Sequence, residues 1–167
     1  MRIAYTSRMS TRRSAPYADS LAFLLSQIGA RSAHLFAERL VPFGVSPRAF
    51  GILSNLDSAE SQTQQQLADA LGIHRNNMVG LIDDMEAAGW VRRHRNEQDR
   101  RAFDVRLTDA GSALVVQVSA VIPAIDDQIG SALSGAERQT MISLLRRVGD
   151  TMGLSPGIHP HLRSTAR

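Results

Sequence analysis

The stretch from Thr63 to Asp109, TQQQLADALGIHRNNMVGLIDDMEAAGWVRRHRNEQDRRAFDVRLTD, constrains this chain more than any other. Thr63 and Gln66 have the spacing of a capping box, in which a hydroxyl and a carboxamide satisfy two orphan N–H groups at a helix start. The helix that begins there buries Leu67, Ala68 and Leu71, and Gly72 stops it. Past the turn a second helical pattern places Val79, Leu81, Ile82 and Met85 back toward the first, leaving His74, Arg75, Asn76, Asn77 and Gly80 outward. Gly89 ends it. Trp90 to His94 and Ala102 to Leu107 then read as two strands, the second with Phe103, Val105 and Leu107 inward and Asp104 and Arg106 outward. Arg95, Arg100 and Arg101 gather at one exposed tip, flanked by Arg92, Arg93 and Arg106, which burial would oblige to find partners.

Two helices joined by a short glycine-containing turn, with polar groups on the outer N-terminal end of the second, make a helix-turn-helix, and the hairpin makes its wing. That end of a reading helix enters the major groove, where Arg75 pairs bidentately with guanine and Asn76 or Asn77 with adenine. The helix N-terminus adds its own attraction for phosphate. An arginine at a hairpin tip can insert into a narrow minor groove, and Asp99, two residues before Arg101, is expected to hold that guanidinium by a fork-shaped hydrogen bond. The candidate contacts with double-stranded DNA are thus His74, Arg75, Asn76, Asn77, Arg95, Arg100 and Arg101, with Asp99 as wing support. On an isolated helix such residues are ordinarily only solvated; the adjoining turn and wing are what favour DNA.

The flanks are helical. Residues 1–18, with Arg2, Arg8, Arg12 and Arg13 among Ser and Thr, read as a flexible basic arm. From Asp19 as N-cap, Leu21, Leu24, Leu25, Ile28, Leu35 and Leu40 predict one amphipathic helix to Val41, ended by Pro42 and Gly44. Ser46 before Pro47 opens a second helix that buries Phe50, Leu53 and Leu56. After Thr108, Val115, Val118, Ile122, Ile125 and Ile129 trace a heptad-like seam along a fifth helix to Leu133, kinked at Pro123. Ser134 and Glu137 are expected to cap a sixth, carrying Met141, Leu144, Leu145 and Val148 and ending near Gly153, and residues 153–167 read as a loose tail. The fold class is mainly α with a small β-hairpin wing, and residues 45–108 are the winged helix-turn-helix domain.

Composition narrows the function. Every one of the 19 basic residues is arginine, which raises the sequence pI to about 10.5 at a net charge of only +3. Arginine suits phosphate and guanine better than lysine does, although a GC-rich genome produces the same bias. The chain contains no cysteine, which rules out disulfides, thiolate metal sites and thiol redox sensing. No 18-residue apolar run and no signal-peptide core stand out, so the expectation is a cytoplasmic protein with no membrane partner. His34, His74, His94, His159 and His161 show no ligand spacing beside carboxylates, and neither metal nor cofactor is expected. No nucleophile elbow, phosphate-cradling loop or His-Glu-x-x-His is present, and Asp83, Asp84 and Glu86 point in different directions, as on a solvated or salt-bridged face. An enzyme is not expected, and no residue is a catalytic candidate.

The same stretch resembles the MarR (multiple antibiotic resistance regulator) family. The matching steps are Leu71-Gly72-Ile73; Gly89 with Trp90 and Val91; Asp99 and Arg101; and Leu107, Thr108 and Gly111. The resemblance implies a homodimeric transcription regulator, with residues 19–44 and 109–152 as the helical dimerisation region and a wing arginine in the minor groove. It also implies a small aromatic or phenolic effector bound between the two regions, for which Ile28, Ser32, Phe36, Phe50, Leu53 and Leu114 are candidate walls; core packing accounts for the same residues. The implied function is a repressor relieved by that effector. The alternatives are a constitutive DNA-binding regulator and a winged-helix module that binds a protein. Where the family commonly has a small hydroxyl residue, this chain has His74 or Asn77, and it has Gly80 where a polar or basic residue is usual, so operator preference does not carry over.

Overall fold

The computed structural model describes residues 17–59, 61–96, 102–155 and 157–159. The chain resolves into two compact units, 1–34 and 35–167, which are taken separately.

In the first unit, helix α1 (Leu21–Leu40) begins one residue later than Asp19 as N-cap implies. Ser20 caps it: its Oγ accepts from the Phe23 N–H at 3.3 Å, and its carbonyl accepts the first helical bond, from Leu24, at 3.0 Å. Asp19 stands one position too early to reach those donors. The Tyr17 and Phe23 rings meet edge to face at 5.1 Å. Leu21, Leu24 and Ile28 are exposed.

In the second unit, the end of α1 buries Leu35 and Leu40 and passes into a 3-10 turn, Val41–Phe43. Gly44, at φ 65°, closes that turn by donating to the Val41 carbonyl at 3.1 Å, a left-handed conformation that suits glycine. Helix α2 (Pro47–Asp57) starts as read, with Ser46 Oγ accepting from the Ala49 N–H and Pro47 at its first position. Helices α3 (Gln64–Leu71) and α4 (Arg75–Ala87) follow, then α5 (Asp109–Ser119), α6 (Ile122–Ile129) and α7 (Gly135–Thr151).

The sheet has three strands in the order β1-β3-β2, all antiparallel. Strands β2 (Val91–Arg95) and β3 (Phe103–Leu107) are the hairpin, each beginning one residue later than the alternation suggests. Strand β1 (Gln62–Thr63) pairs Gln62 with Val105 and Thr63 with Asp104. No alternation can announce a two-residue strand, and this one was not anticipated.

The inward-outward pattern of β3 also needs correcting. Val105 is fully buried as read, but Phe103 is 46% exposed and Asp104 is buried. Near its free end the hairpin extends past the core, so Phe103 has little to pack against. The Asp104 carboxylate instead accepts from Asn96 Nδ2 at 2.7 Å, and Arg106 lies 3.9 Å away.

One hydrophobic core joins Leu40, Phe50, Ile52, Leu53, Leu67, Leu71, Met78, Ile82, Val91, Val105, Leu114 and Val118. Helix α5 thus packs into the same core as the helix-turn-helix. The single kinked helix expected after Thr108 is two helices, broken at Ala120 and Val121. Pro123 has no N–H to offer the Ser119 carbonyl and its ring crowds that carbonyl, so α6 restarts with Ile125 donating to the Val121 carbonyl at 3.3 Å. The 21 residues Asp109–Ile129 are apolar enough in composition to match a membrane span, against the expectation of no such run. The break, and the burial of Leu114, Val115 and Val118 against the other helices, mark them as core-forming here. The Ser134–Glu137 capping box of α7 is present, whereas Leu144 and Leu145 on its apolar side are exposed and Met141 and Val148 half-buried.

Candidate nucleic-acid interface

Helix α3 is positioned by its capping box: Thr63 Oγ1 accepts from the Gln66 N–H at 3.2 Å, and Gln66 Oε1 accepts from the Thr63 N–H at 2.9 Å. Gly72 ends it at φ 64°, and the N–H of Ile73, buried beneath the turn, donates to the Ala68 carbonyl at 2.9 Å. This fixes where α4 begins. His74 is its N-cap, with Nδ1 accepting from the Asn76 N–H at 3.3 Å. The imidazole therefore serves the helix start through a nitrogen that must be unprotonated to accept.

Met78, Ile82 and Met85 form the buried stripe of α4, at helical spacings of four and three. Val79, read as inward, is 43% exposed, because it stands about 100° round the helix from Met78. Leu81 is half-buried. Arg75, Asn76, Asn77, Val79 and Gly80 are all exposed, and three of the sequence candidates, Arg75, Asn76 and Asn77, are brought together with His74 at one end of one helix.

The wing stands beside them. Arg95 is exposed at the last position of β2, opposite Phe103, and the Asn96 N–H donates to the Ala102 carbonyl at 3.1 Å across the hairpin. Asp99, Arg100 and Arg101 lie outside the described residues.

Arg93, grouped by sequence with the wing-flanking arginines, has a different part. Its Nε donates to Gln64 Oε1 at 3.1 Å, Nη1 to Glu86 Oε2 at 2.6 Å and Nη2 to Asp83 Oδ1 at 2.6 Å. Its backbone N–H donates to Glu86 Oε1 at 3.0 Å. One side chain on β2 thereby ties together the start of α3 and the C-terminal half of α4. The hydrogen bond from the backbone N–H of Arg93, joined by the hydrogen bond and charge of its guanidinium, holds the Glu86 carboxyl below its ordinary pKa, and partial burial opposes that shift. The sequence did indicate that arginines here require partners if buried and that the α4 acids form a salt-bridged face. No periodicity rule links a helix to the following strand, however, so the pairing was not found.

The join to α5 is equally specific. Thr108 Oγ1 donates to the Gly89 carbonyl at 2.6 Å and accepts from the Gly111 N–H at 3.1 Å. A Cβ on Gly111 would lie 2.0 Å from the Trp90 carbonyl oxygen, so only glycine fits. Among the proposed effector walls, Ile28 is exposed and Ser32 half-buried in the first unit. In the second, Phe36 is half-buried with its ring 5.8 Å from that of Phe50, while Phe50, Leu53 and Leu114 belong to the core. Among the described residues, no three His, Asp or Glu side chains gather as a metal cage.

A capped support helix, a polar-ended second helix and an arginine-bearing hairpin on a three-stranded sheet define a winged helix-turn-helix protein. Residues 43–102 match the model of the MarR family, so this stretch is similar to that family. A protein of Thauera aromatica assigned to transcriptional regulation of the hcr operon is 29% identical over 105 residues. The match takes in 63% of this chain and spans 63% of that relative's length. The reduced form of MarR from E. coli is similar in structure, with a TM-score of 0.71 at 27% identity over 77% of this chain and 96% of that one. The repressor CouR, solved bound to a 23-mer DNA duplex, gives a TM-score of 0.71 at 28% identity over 79% of this chain and 94% of that one.

Proposed function

We propose that the chain is a homodimeric, sequence-specific DNA-binding transcription regulator of the cytoplasm, with α4 reading the major groove and the wing arginines entering the minor groove. The observation that carries this reading is the exposed set Arg75, Asn76 and Asn77 at the start of α4, together with exposed Arg95 at the end of the following strand, β2. The DNA-bound state of the structural relative CouR supports it. Dimerisation is supported by apolar side chains that a single chain leaves uncovered: Leu21, Leu24 and Ile28 in the first unit, and Ile142, Leu144 and Leu145 on α7. Two reading helices related by a two-fold axis would suit half-sites about 34–36 Å apart.

In the fuller form of this proposal the protein is a repressor, relieved when a small aromatic or phenolic effector prefers one separation of the reading helices over another; only that differential affinity shifts the population. A constitutive regulator is the second reading, favoured by the burial of Phe50, Leu53 and Leu114 within the core. The deciding experiment is selection of duplexes from a random pool, followed by titration across salt concentrations. A preferred inverted repeat, bound with strong salt dependence, is the expected result. No salt-dependent duplex binding would leave the protein-interaction module in its place. A panel of phenolic acids that leaves operator binding intact would favour the constitutive form.

A further inference from the structure

Gly80 sits inside α4 without an internal reason to be glycine. Its φ is not positive, and a Cβ built on it would meet nothing within 4 Å. An interior helical glycine lowers helix stability, so what remains to explain it is the close approach of another surface to the helix backbone. Val79 beside it is the exposed apolar residue of this face, one turn beyond Arg75, while Asn76 stands one turn before Gly80. Farther along, Asp83 would repel phosphate, but Arg93 already lies 2.6 Å from its carboxylate. The face therefore runs from hydrogen-bonding groups to an apolar group beside an open stretch of backbone.

Base edges in the major groove offer one apolar feature, the C5-methyl group of thymine. We propose that Val79 is a specificity-determining residue that packs on a thymine methyl in each half-site, and that Gly80 lets the helix settle deeply enough for it to do so. This inference rests on the DNA-binding reading above.

The test takes the duplex selected by the full chain and replaces each thymine in turn by deoxyuridine, which removes the methyl group and keeps the base pairing. One thymine in each half-site should weaken wild-type binding roughly fourfold when demethylated, the worth of one buried methyl group. Val79→Ala, a change at an exposed helical site, should bind thymine and deoxyuridine there equally. Sensitivity to demethylation that is absent from the wild type, or the same in both proteins, overturns the assignment of Val79. Gly80→Ala should melt about 2–4 °C higher, through helix propensity, and yet bind the selected duplex more weakly. Unchanged binding by that variant overturns the role of Gly80. A wild-type chain that selects no duplex overturns the DNA-binding reading and this inference with it, whereas a selected site without methyl dependence overturns only this one.

Discussion

Arg93 grips Glu86 twice: its backbone N–H donates to Oε1 at 3.0 Å, and its guanidinium Nη1 donates to Oε2 at 2.6 Å. With the bonds to Gln64 and Asp83, the fork holds the wing strand against both helices of the helix-turn-helix. The two elements proposed to meet DNA therefore keep a fixed mutual position. Replacing Arg93 by Ala keeps the backbone N–H bond to Glu86 but removes the guanidinium donor from Glu86 Oε2, Asp83 Oδ1 and Gln64 Oε1, at a cost of about 1–2 kcal/mol once the partial exposure of the carboxylates is allowed for. Arg93→Lys should recover little, because one ammonium group does not reproduce three divergent N–H bonds. Urea melts compare the three proteins, and an unchanged midpoint for Arg93→Ala would show the clamp to be idle.

The same pair makes stability depend on pH. Glu86 has its carboxyl pKa lowered in the fold, so the folded state resists the proton that the unfolded chain accepts. The stabilisation is present above the unfolded value, near 4.3, and fades as pH falls through the lower folded value. Glu86→Gln should be less stable than the wild type at neutral pH, and the gap should close in acid. Paired urea melts between about pH 3 and pH 7 measure it. A gap independent of pH would place the effect in packing, away from charge.

Much of what depends on residues three or four apart could be read in advance, although the cap of α1 is Ser20 where Asp19 was expected. Ser46, Thr63, Thr108 and Ser134 cap the helices they were expected to cap, because a side chain meeting a backbone N–H three residues on is a local event. The helix-turn-helix was legible for the same reason, from Gly72 and the stripes on either side of it. Features set by distant chain were not. Strand β1 exists only because Val105 and Asp104 lie beside it, and Asp104 is buried because Asn96 reaches it. Val79 faces outward because the support helix and the sheet select the stripe of Met78 over its neighbour, a choice of about 100° that apolar character alone does not make. Arg93 looked like any other wing arginine until the acids of α4 were seen across from it.

Gly111 gives a sharp contrast with Gly80. A Cβ at Gly111 falls 2.0 Å from the Trp90 carbonyl oxygen, a backbone atom that also accepts from the Thr108 N–H at 3.1 Å. Gly111→Ala must therefore push α5 away from the base of the wing, at about 3 kcal/mol or more. Thermal unfolding should show a large loss for this variant. If it melted like the wild type, the close approach of α5 to Trp90 would be wrong.

The wing and the reading helix should fail in different ways. The segment between Asn96 and Ala102, whose ends are joined by a backbone bond of 3.1 Å, carries Arg100 and Arg101. A tip arginine that neutralises a phosphate or enters the minor groove releases counterions whatever the sequence. Arg101→Ala should thus weaken all duplexes alike and reduce the slope of log affinity against log salt by about 1. Asn76, exposed at the start of α4, is proposed to pair with a base edge, so Asn76→Ala should leave the slope nearly unchanged and relax the preference at one position by about 1–3 kcal/mol. Anisotropy titrations of both variants against matched and mismatched duplexes, at several salt concentrations, separate the two. An Arg101 variant that changed base preference while keeping the wild-type slope would exchange the parts assigned to wing and helix.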